Sequence, residues 1–152
     1  KERASALVKV AQAELLSKSI NRLILPYQSM IENNPTNITA RMQIAILYSR
    51  YGLYDDAQLA FDDLLELAVD NSAVHSNLGN LYLLTKQFDK AINSYQQAIS
   101  LDKNDGGIWV NLSMANYRKG DLISAATQYQ KAVTLTPKLK DSYSAYSKLL
   151  SQ

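Results

Sequence analysis

The phrase YQQAISLD at residues 95–102 returns as YQKAVTLT at residues 129–136, which is 34 positions further along the chain. The same shift aligns apolar and small residues in sets of three: Ala57, Ala91 and Ala125; Phe61, Tyr95 and Tyr129; Leu67, Leu101 and Leu135; Ala45, Gly79 and Ser113. Turn residues share the register too, because Gly52 and Gly120 lie two periods apart. Unrelated amphipathic helices would not preserve turn residues, so the spacing predicts an array of repeats at 38–71, 72–105 and 106–139.

Each repeat is predicted to contain two helices that are joined by a tight turn. In the third repeat, an apolar-periodic run at 108–117 ends near Gly120, and a second run at 122–135 ends before Pro137. Glycine suits a left-handed helix end because it has no Cβ. Lys86 takes this place in the second repeat, where a left-handed side-chain-bearing residue should cost on the order of 1 kcal/mol.

Both ends of the chain are predicted to extend the array, so that residues 1–152 form a single domain. Residues 1–37 would form a long N-terminal helix up to Leu25 and, after Pro26, the second helix of a degenerate repeat. That long helix either caps the array or pairs with a second copy of the protein. Residues 140–152 would form a capping helix that covers the last apolar face.

The composition argues against several classes of protein. The chain has no Cys, which excludes disulfides, thiolate metal sites and cysteine nucleophiles. A net charge of +2 is too small to indicate a nucleic-acid partner. Four charges, at Lys9, Glu14, Lys18 and Arg22, interrupt the most apolar N-terminal stretch, so we do not expect a membrane span. The composition does not fix the compartment.

The residues offer no pattern that is typical of an active site. His75 is the only histidine, and it shares a register with Arg41 and Trp109, which is a packing position between helices. The paired acids at 55–56 and 62–63 have no His or Cys nearby in the sequence, and they suit a solvated face better than a weak cation site. We therefore expect no catalytic residue, no metal site and no cofactor.

Charge is unevenly distributed along the chain. Residues 1–50 carry seven basic and three acidic side chains, residues 51–103 carry three and eight, and residues 104–152 carry six and three. Solvated helix faces are the simplest interpretation, and the alternative is electrostatic contact between copies or with a charged partner.

The segment WVNLSMANYRKGDLISAATQYQKAVTLTP at 109–137 resembles a tetratricopeptide repeat. The positions that match the signature of the family are Trp109, Leu112, Ser113, Gly120, Ala125, Tyr129, Ala132 and Pro137. The resemblance implies an all-α fold, a right-handed superhelical solenoid of antiparallel helix pairs in which the first helix of each repeat lines a concave groove. It also implies a protein-interaction scaffold that binds an extended segment of a protein or peptide partner, rather than an enzyme.

The helical angle indicates which side chains would line that groove. Leu78 and Tyr82 form the packed face of their helix, so positions 77, 80 and 84 should project on the other side. Applied through the 34-residue period, this predicts a binding set of Gln43, Ile46, Arg50, Asn77, Asn80, Leu84, Asn111, Met114, Tyr117, Arg118 and Lys148. Because an amide both donates and accepts, a row of amides can hold the backbone of an extended peptide.

The row formed by Gln43, Asn77 and Asn111 resembles the asparagine ladders with which some members of the family hold peptides. Amides are common at these registers in the family, so a purely structural role stays open.

Another binding mode of the family, the clamp for a terminal carboxylate, is not expected. It requires basic and amide residues where this chain has Met42, Ile46, Val110 and Met114. The predicted groove instead suits a segment with apolar anchors and an acidic flank.

Two competing predictions remain beside the groove. The chain would be a monomer or a weak homodimer, and self-association through the N-terminal helix or the acidic second helix of the first repeat is the structural alternative. The chain would otherwise be the repeat portion of a larger enzyme or of a membrane-anchored assembly protein.

Overall fold

The computed structural model describes residues 2–151 and, within them, the side chains of residues 8, 9 and 11–151. The described residues form helices and turns without a strand, which confirms the predicted all-α class. No helix among them is both long and apolar enough to cross a membrane. The chain divides into two compact units, 1–67 and 68–152, where the sequence predicted a single domain. Contacts in a repeat array are made between sequence neighbours, so such a chain divides between repeats.

The first unit contains three helices in the part of it that the structure describes, residues 2–67. They are α1 (Glu2–Asn33), α2 (Ile38–Arg50) and α3 (Tyr54–Leu67). Helices α2 and α3 are joined by a three-residue turn and pack against each other, and α1 packs against α2. Ile20 and Ile24 of α1 and Phe61 and Leu64 of α3 are buried, because they lie on the apolar stripes that face the neighbouring helices.

Helix α1 corrects the prediction that the N-terminal region would contain two helices. It continues through Pro26 to Asn33 as one helix of 32 residues. A proline inside a helix removes one backbone hydrogen bond and costs about 3 kcal/mol. Pro26 is exposed, and the stripe that packs the helix continues on both sides of it, with Ile24 buried before it and Ile31 half-buried after it. Packing on both sides holds the helix together at the proline.

The second unit contains six helices in its described residues. They are α4 (Ser72–Leu84), α5 (Phe88–Leu101), α6 (Gly106–Lys119), α7 (Leu122–Leu135), α8 (Leu139–Ser142) and α9 (Ser144–Leu149). Helix α4 packs against α5, α5 against α6, and α6 against α7. Tyr95, Ala98 and Leu112 are buried in the core between α5 and α6.

The C-terminal segment forms two short helices instead of the predicted single capping helix. The interruption is at Tyr143, whose φ of −118° and ψ of 30° are not helical. Tyr143 and Tyr146 both pack against the apolar cluster that includes Val110 and Tyr129. Neither short helix has a side-chain N-cap, so tertiary packing determines the path of this segment more than local propensity does.

The first helix of each repeat begins at an equivalent capping residue. Asn37, Asn71 and Asp105 lie 34 positions apart, and each accepts a hydrogen bond from a backbone N–H in the first turn, at 3.0, 3.0 and 2.8 Å respectively. Such a cap satisfies one of the donors that the helix leaves unpaired. The period in the sequence is therefore also a period in helix starts.

A second periodic bond holds the chain that leads into each of these helices. Arg41, His75 and Trp109 each contact the backbone carbonyl six residues earlier, at 2.7, 2.7 and 3.0 Å. Because a carbonyl only accepts, Nε2 of His75 carries its hydrogen in this bond. This hydrogen bond gives His75 the same structural role as Arg41 and Trp109 have in the other two repeats.

The turn inside each repeat is left-handed at one residue, including the one that is not glycine. Gly52, Lys86 and Gly120 have φ values of 77°, 60° and 99°. Lys86 is thus left-handed, and its side chain carries the backbone penalty that glycine avoids.

We expect Lys86→Gly to raise the free energy of unfolding by about 1 kcal/mol, because it removes this penalty. Gly120→Ala is the matched control and should lower the free energy of unfolding by a similar amount. An added Cβ at Gly120 would meet no atom within 4 Å, so the control reports backbone strain alone. Urea denaturation measures both, and a destabilised Lys86→Gly protein would contradict the argument.

Candidate functional site

The predicted binding residues of the first unit lie on α2. Gln43 and Ile46 are half-buried, and Arg50 at the end of the helix is exposed. They remain predicted ligand contacts.

The predicted residues of the second unit lie on three helices. Asn77, Asn80 and Leu84 are on α4, Asn111, Met114, Tyr117 and Arg118 are on α6, and Lys148 is on α9. Leu84 is 53% exposed, and Arg118 and Lys148 are exposed as well. The others are half-buried, so part of each side chain packs against the protein and part remains accessible to a ligand.

Hydrogen bonds join two of these amides, Asn80 of α4 and Asn111 of α6, and link Asn80 to Tyr95 of α5. The Oδ1 atom of Asn80 accepts from the hydroxyl of Tyr95 at 2.7 Å and from Nδ2 of Asn111 at 3.3 Å. We call Asn80, Tyr95 and Asn111 the amide cluster. It joins the first helix of the second repeat to the first helix of the third.

The amide cluster leaves one donor group and one acceptor unused. Among the described residues, the Nδ2 group of Asn80 and the Oδ1 atom of Asn111 have no hydrogen-bond partner. Nδ2 of Asn77, one turn earlier on α4, donates to the carbonyl of Ala73 at 2.8 Å. A donor and an acceptor side by side match the C=O and N–H groups of an extended peptide.

Tyr95 is the buried member of the amide cluster. Its ring is fully buried, and burial raises the pKa of its hydroxyl, while the positive charge of Arg118 acts in the opposite direction. The hydroxyl is therefore a neutral donor at pH 7, consistent with its bond to Asn80. Arg118 lies seven residues, or about two turns, after Asn111 on α6, so both residues are on the same face of that helix.

The sequence did not predict that Tyr95 takes part in the site. The available signal was an amide in one register and a hydroxyl 15 residues later, a combination that occurs only in the second of the three repeats. The pairs are Ile46 with Phe61, Asn80 with Tyr95, and Met114 with Tyr129.

The third of these pairs lacks the amide, and its hydroxyl is unpaired. The hydroxyl of Tyr129 is buried and has no hydrogen-bond partner among the described residues, since Met114 stands where Asn80 stands one repeat earlier. A buried hydroxyl without a partner is destabilising.

Met114 and Tyr117 belong partly to the core of the second unit. Both pack against the cluster around Val110, and the Tyr117 ring meets Tyr146 edge to face with centroids 5.6 Å apart. The hydroxyl of Tyr146 shares a 2.7 Å hydrogen bond with Ser113. Burial raises the pKa of Tyr146, and this bond partly offsets the effect. The aromatic side of α6 is therefore rigidly supported.

The chemistry of the site is that of binding. The amide cluster contains neutral amides and a phenol, with one guanidinium close by. Across the described part of the chain, no three His, Asp or Glu side chains gather in a way that could hold a metal ion. The arrangement can accept and donate hydrogen bonds and attract a negative charge.

Residues 72–105 and residues 106–139 each match the family model of the tetratricopeptide repeat. Residues 72–139 are two tetratricopeptide repeats. The two matched ranges coincide with the second and third units of the 34-residue period, and they contain the whole amide cluster. Repeats of this family typically form non-catalytic scaffolds for protein interaction.

A human protein is similar in sequence to part of this chain. The chain is 31% identical over 101 residues to the human protein O-mannosyl-transferase TMTC1, and the match covers 64% of this chain and 12% of that protein. The chain spans about a tenth of the length of the first curated relatives that it matches. The similarity therefore concerns a small part of those proteins.

Two solved structures share the fold of this chain. A thermophilic tetratricopeptide repeat protein of Thermus thermophilus has a TM-score of 0.77 at 22% identity, covering 93% of this chain and 78% of that one. The first repeat domain of Spaghetti (RPAP3), bound to the HSP90 peptide SRMEEVD, has a TM-score of 0.70 at 18% identity, covering 76% and 90%. At these identities the likeness shows the fold.

Tyr95 and Tyr129 share a register, but loss of the hydroxyl should change the free energy of unfolding differently at the two positions. We expect Tyr95→Phe to lower the free energy of unfolding by about 1 kcal/mol, because the bond to Asn80 is lost. Tyr129→Phe should leave it unchanged or raise it by up to about 1 kcal/mol, because it removes an unpaired buried hydroxyl. Urea denaturation at pH 7 measures both, and equal losses would refute the proposed difference.

Proposed function

We propose that residues 68–152 bind an extended segment of a partner protein along α4 and α6, with the amide cluster holding its backbone. The observation that carries the proposal is the adjacent unused donor of Asn80 and acceptor of Asn111, which are fixed by their mutual hydrogen bond and by Tyr95. Preorganised groups lose little entropy when a ligand binds. Backbone pairing of this kind is independent of the ligand's side chains.

Side chains around the amide cluster would select the segment. Leu84 offers an exposed apolar surface, and Arg118 offers an exposed positive charge. We infer a ligand with an apolar residue followed or preceded by an acidic one, because a guanidinium pairs well with a carboxylate.

The bound peptide in the structure of the first Spaghetti repeat domain supports peptide binding on this fold, and its sequence SRMEEVD is acidic. In the present chain the positions of a terminal-carboxylate clamp carry Met42, Ile46, Val110 and Met114, and Val110 is fully buried. We therefore propose that the ligand is recognised within its sequence rather than by its C-terminus. Gln43, Ile46 and Arg50 of α2 remain predicted contacts.

Loss of the amides should weaken peptide binding without unfolding the protein. Peptides selected from a display library against this chain serve as ligands in fluorescence anisotropy. We expect Asn80→Ala with Asn111→Ala to weaken binding roughly tenfold or more, as the two lost hydrogen bonds to the peptide, of about 1 kcal/mol each, predict. The control removes two exposed amides on the outer helices, Gln97→Ala with Gln130→Ala, and should bind like the parent. Undiminished binding by the first variant, with its thermal unfolding unchanged, would contradict the proposal.

Arg118 should contribute charge rather than backbone pairing. We expect Arg118→Gln to weaken binding of peptides with an acidic residue, to leave uncharged peptides unaffected, and to reduce the dependence of affinity on salt. Lys131→Gln, an exposed change of the same charge on α7, is the control. Anisotropy titrations at two salt concentrations measure the effect, and an equal loss for charged and uncharged peptides would argue against this role.

A further inference from the structure

Helix α1 is much longer than the helix that packs against it. Its 32 residues span about 48 Å, whereas the 13 residues of α2 span about 20 Å. Ile20 and Ile24 are buried. Among the described side chains that precede Ile20, only Leu16 is half-buried and the rest are exposed. The N-terminal half of α1 therefore has a free surface.

This free surface carries a heptad-like pattern. Positions that alternate three and four apart place six exposed side chains on one face: Val8, Ala11, Leu15, Lys18, Arg22 and Leu25. Val8, Leu15 and Leu25 are 55%, 67% and 59% exposed. We call these six residues the α1 face. Side chains with this spacing form the seam between two packed helices. In the α1 face, the basic residues Lys18 and Arg22 lie among apolar ones.

Helix α3 of the same unit has a matching exposed face of opposite charge. It contains five acidic residues and no basic one. Asp55, Leu59, Asp62 and Glu66 recur four, three and four positions apart, and all are exposed, with Leu59 at 66%. We call these four residues the α3 face. The buried residues of this helix, Phe61 and Leu64 among them, lie on its opposite side.

The charges of both faces form no ion pair within the described part of the chain, although Asp62 accepts a hydrogen bond from Nε2 of Gln58 at 2.9 Å. Among the described residues, the ion pair that is formed joins Lys119 to Asp89, in the other unit. Neither the carboxylates of α3 nor Lys18 and Arg22 take part in an ion pair there. Both faces therefore retain their charge for an external contact.

Charge decides which occupant suits the α1 face. Residues 8–25 carry three basic side chains and one acidic one, so two α1 faces together would bring Lys18 and Arg22 near like charges. The α3 face has the opposite charge and a similar spacing. The 14 residues of α3 span about 21 Å, which fits within the roughly 27 Å that residues 8–25 of α1 span.

We propose that the α1 face of one copy packs along the α3 face of a second copy of this protein. Each copy carries both faces, so two copies can form two equivalent contacts related by a twofold axis. Leu15, Leu25 and Leu59 supply the apolar contact, and the charges set which helices meet. Since the charges are exposed, salt weakens the association.

The test is the mass of the full chain in solution, measured by sedimentation equilibrium. The parent should exceed the monomer mass of 17.0 kDa as its concentration rises, and should return toward it at high salt. Lys18→Glu with Arg22→Glu should remain monomeric, and so should Asp62→Lys with Glu66→Lys. An equimolar mixture of these two variants should associate again, because each then supplies the charge that the other lacks.

Charge reversals elsewhere are the controls. Lys9→Glu changes a basic residue on the opposite side of α1, and Asp70→Lys changes an acid outside α3, and both should associate like the parent. Circular dichroism establishes that every variant is folded. A parent that is monomeric at all concentrations overturns the proposal. Association that survives both double reversals, or a mixture that stays monomeric, overturns it as well.

Discussion

The close approach of Tyr95 to the backbone of α4 is the constraint on which the candidate site depends. A Cβ atom at Gly79 would lie 2.6 Å from Cε1 of Tyr95, so only glycine admits the ring at this depth. The ring then carries its hydroxyl to Asn80, and Asn80 in turn orients Asn111. The amide cluster is therefore a consequence of how closely two helices of one repeat pack. A larger residue at Gly79 would displace the tyrosine and release both amides.

The repeats separate the residues that build the scaffold from those that differ between copies. The capping residues at 37, 71 and 105 and the donors at 41, 75 and 109 perform the same task in every repeat. The register of Asn80 instead holds Ile46 and Met114 in the other two repeats. Because the helices are held by caps, turns and small residues, this register is free to vary. Binding specificity in such a protein lies in positions that the scaffold does not need.

The two units present surfaces of different physical character. In residues 68–152 the amide cluster is neutral, half-buried and directional, which suits recognition of a peptide backbone. In residues 1–67 the α1 and α3 faces are charged and exposed, which suits a weak contact that salt controls.

The sequence by itself determined the features that depend on local structure. The 34-residue period, the paired helices and the left-handed turn at Gly120 follow from helical periodicity and turn conformation, which involve residues close together in the chain. Only the tertiary structure decided that α1 continues through Pro26, that the C-terminal segment breaks at Tyr143, and that Tyr95 joins Asn80 and Asn111. These outcomes depend on packing between separate helices, because burial on both sides outweighs a local break and distance in space decides which polar groups can bond.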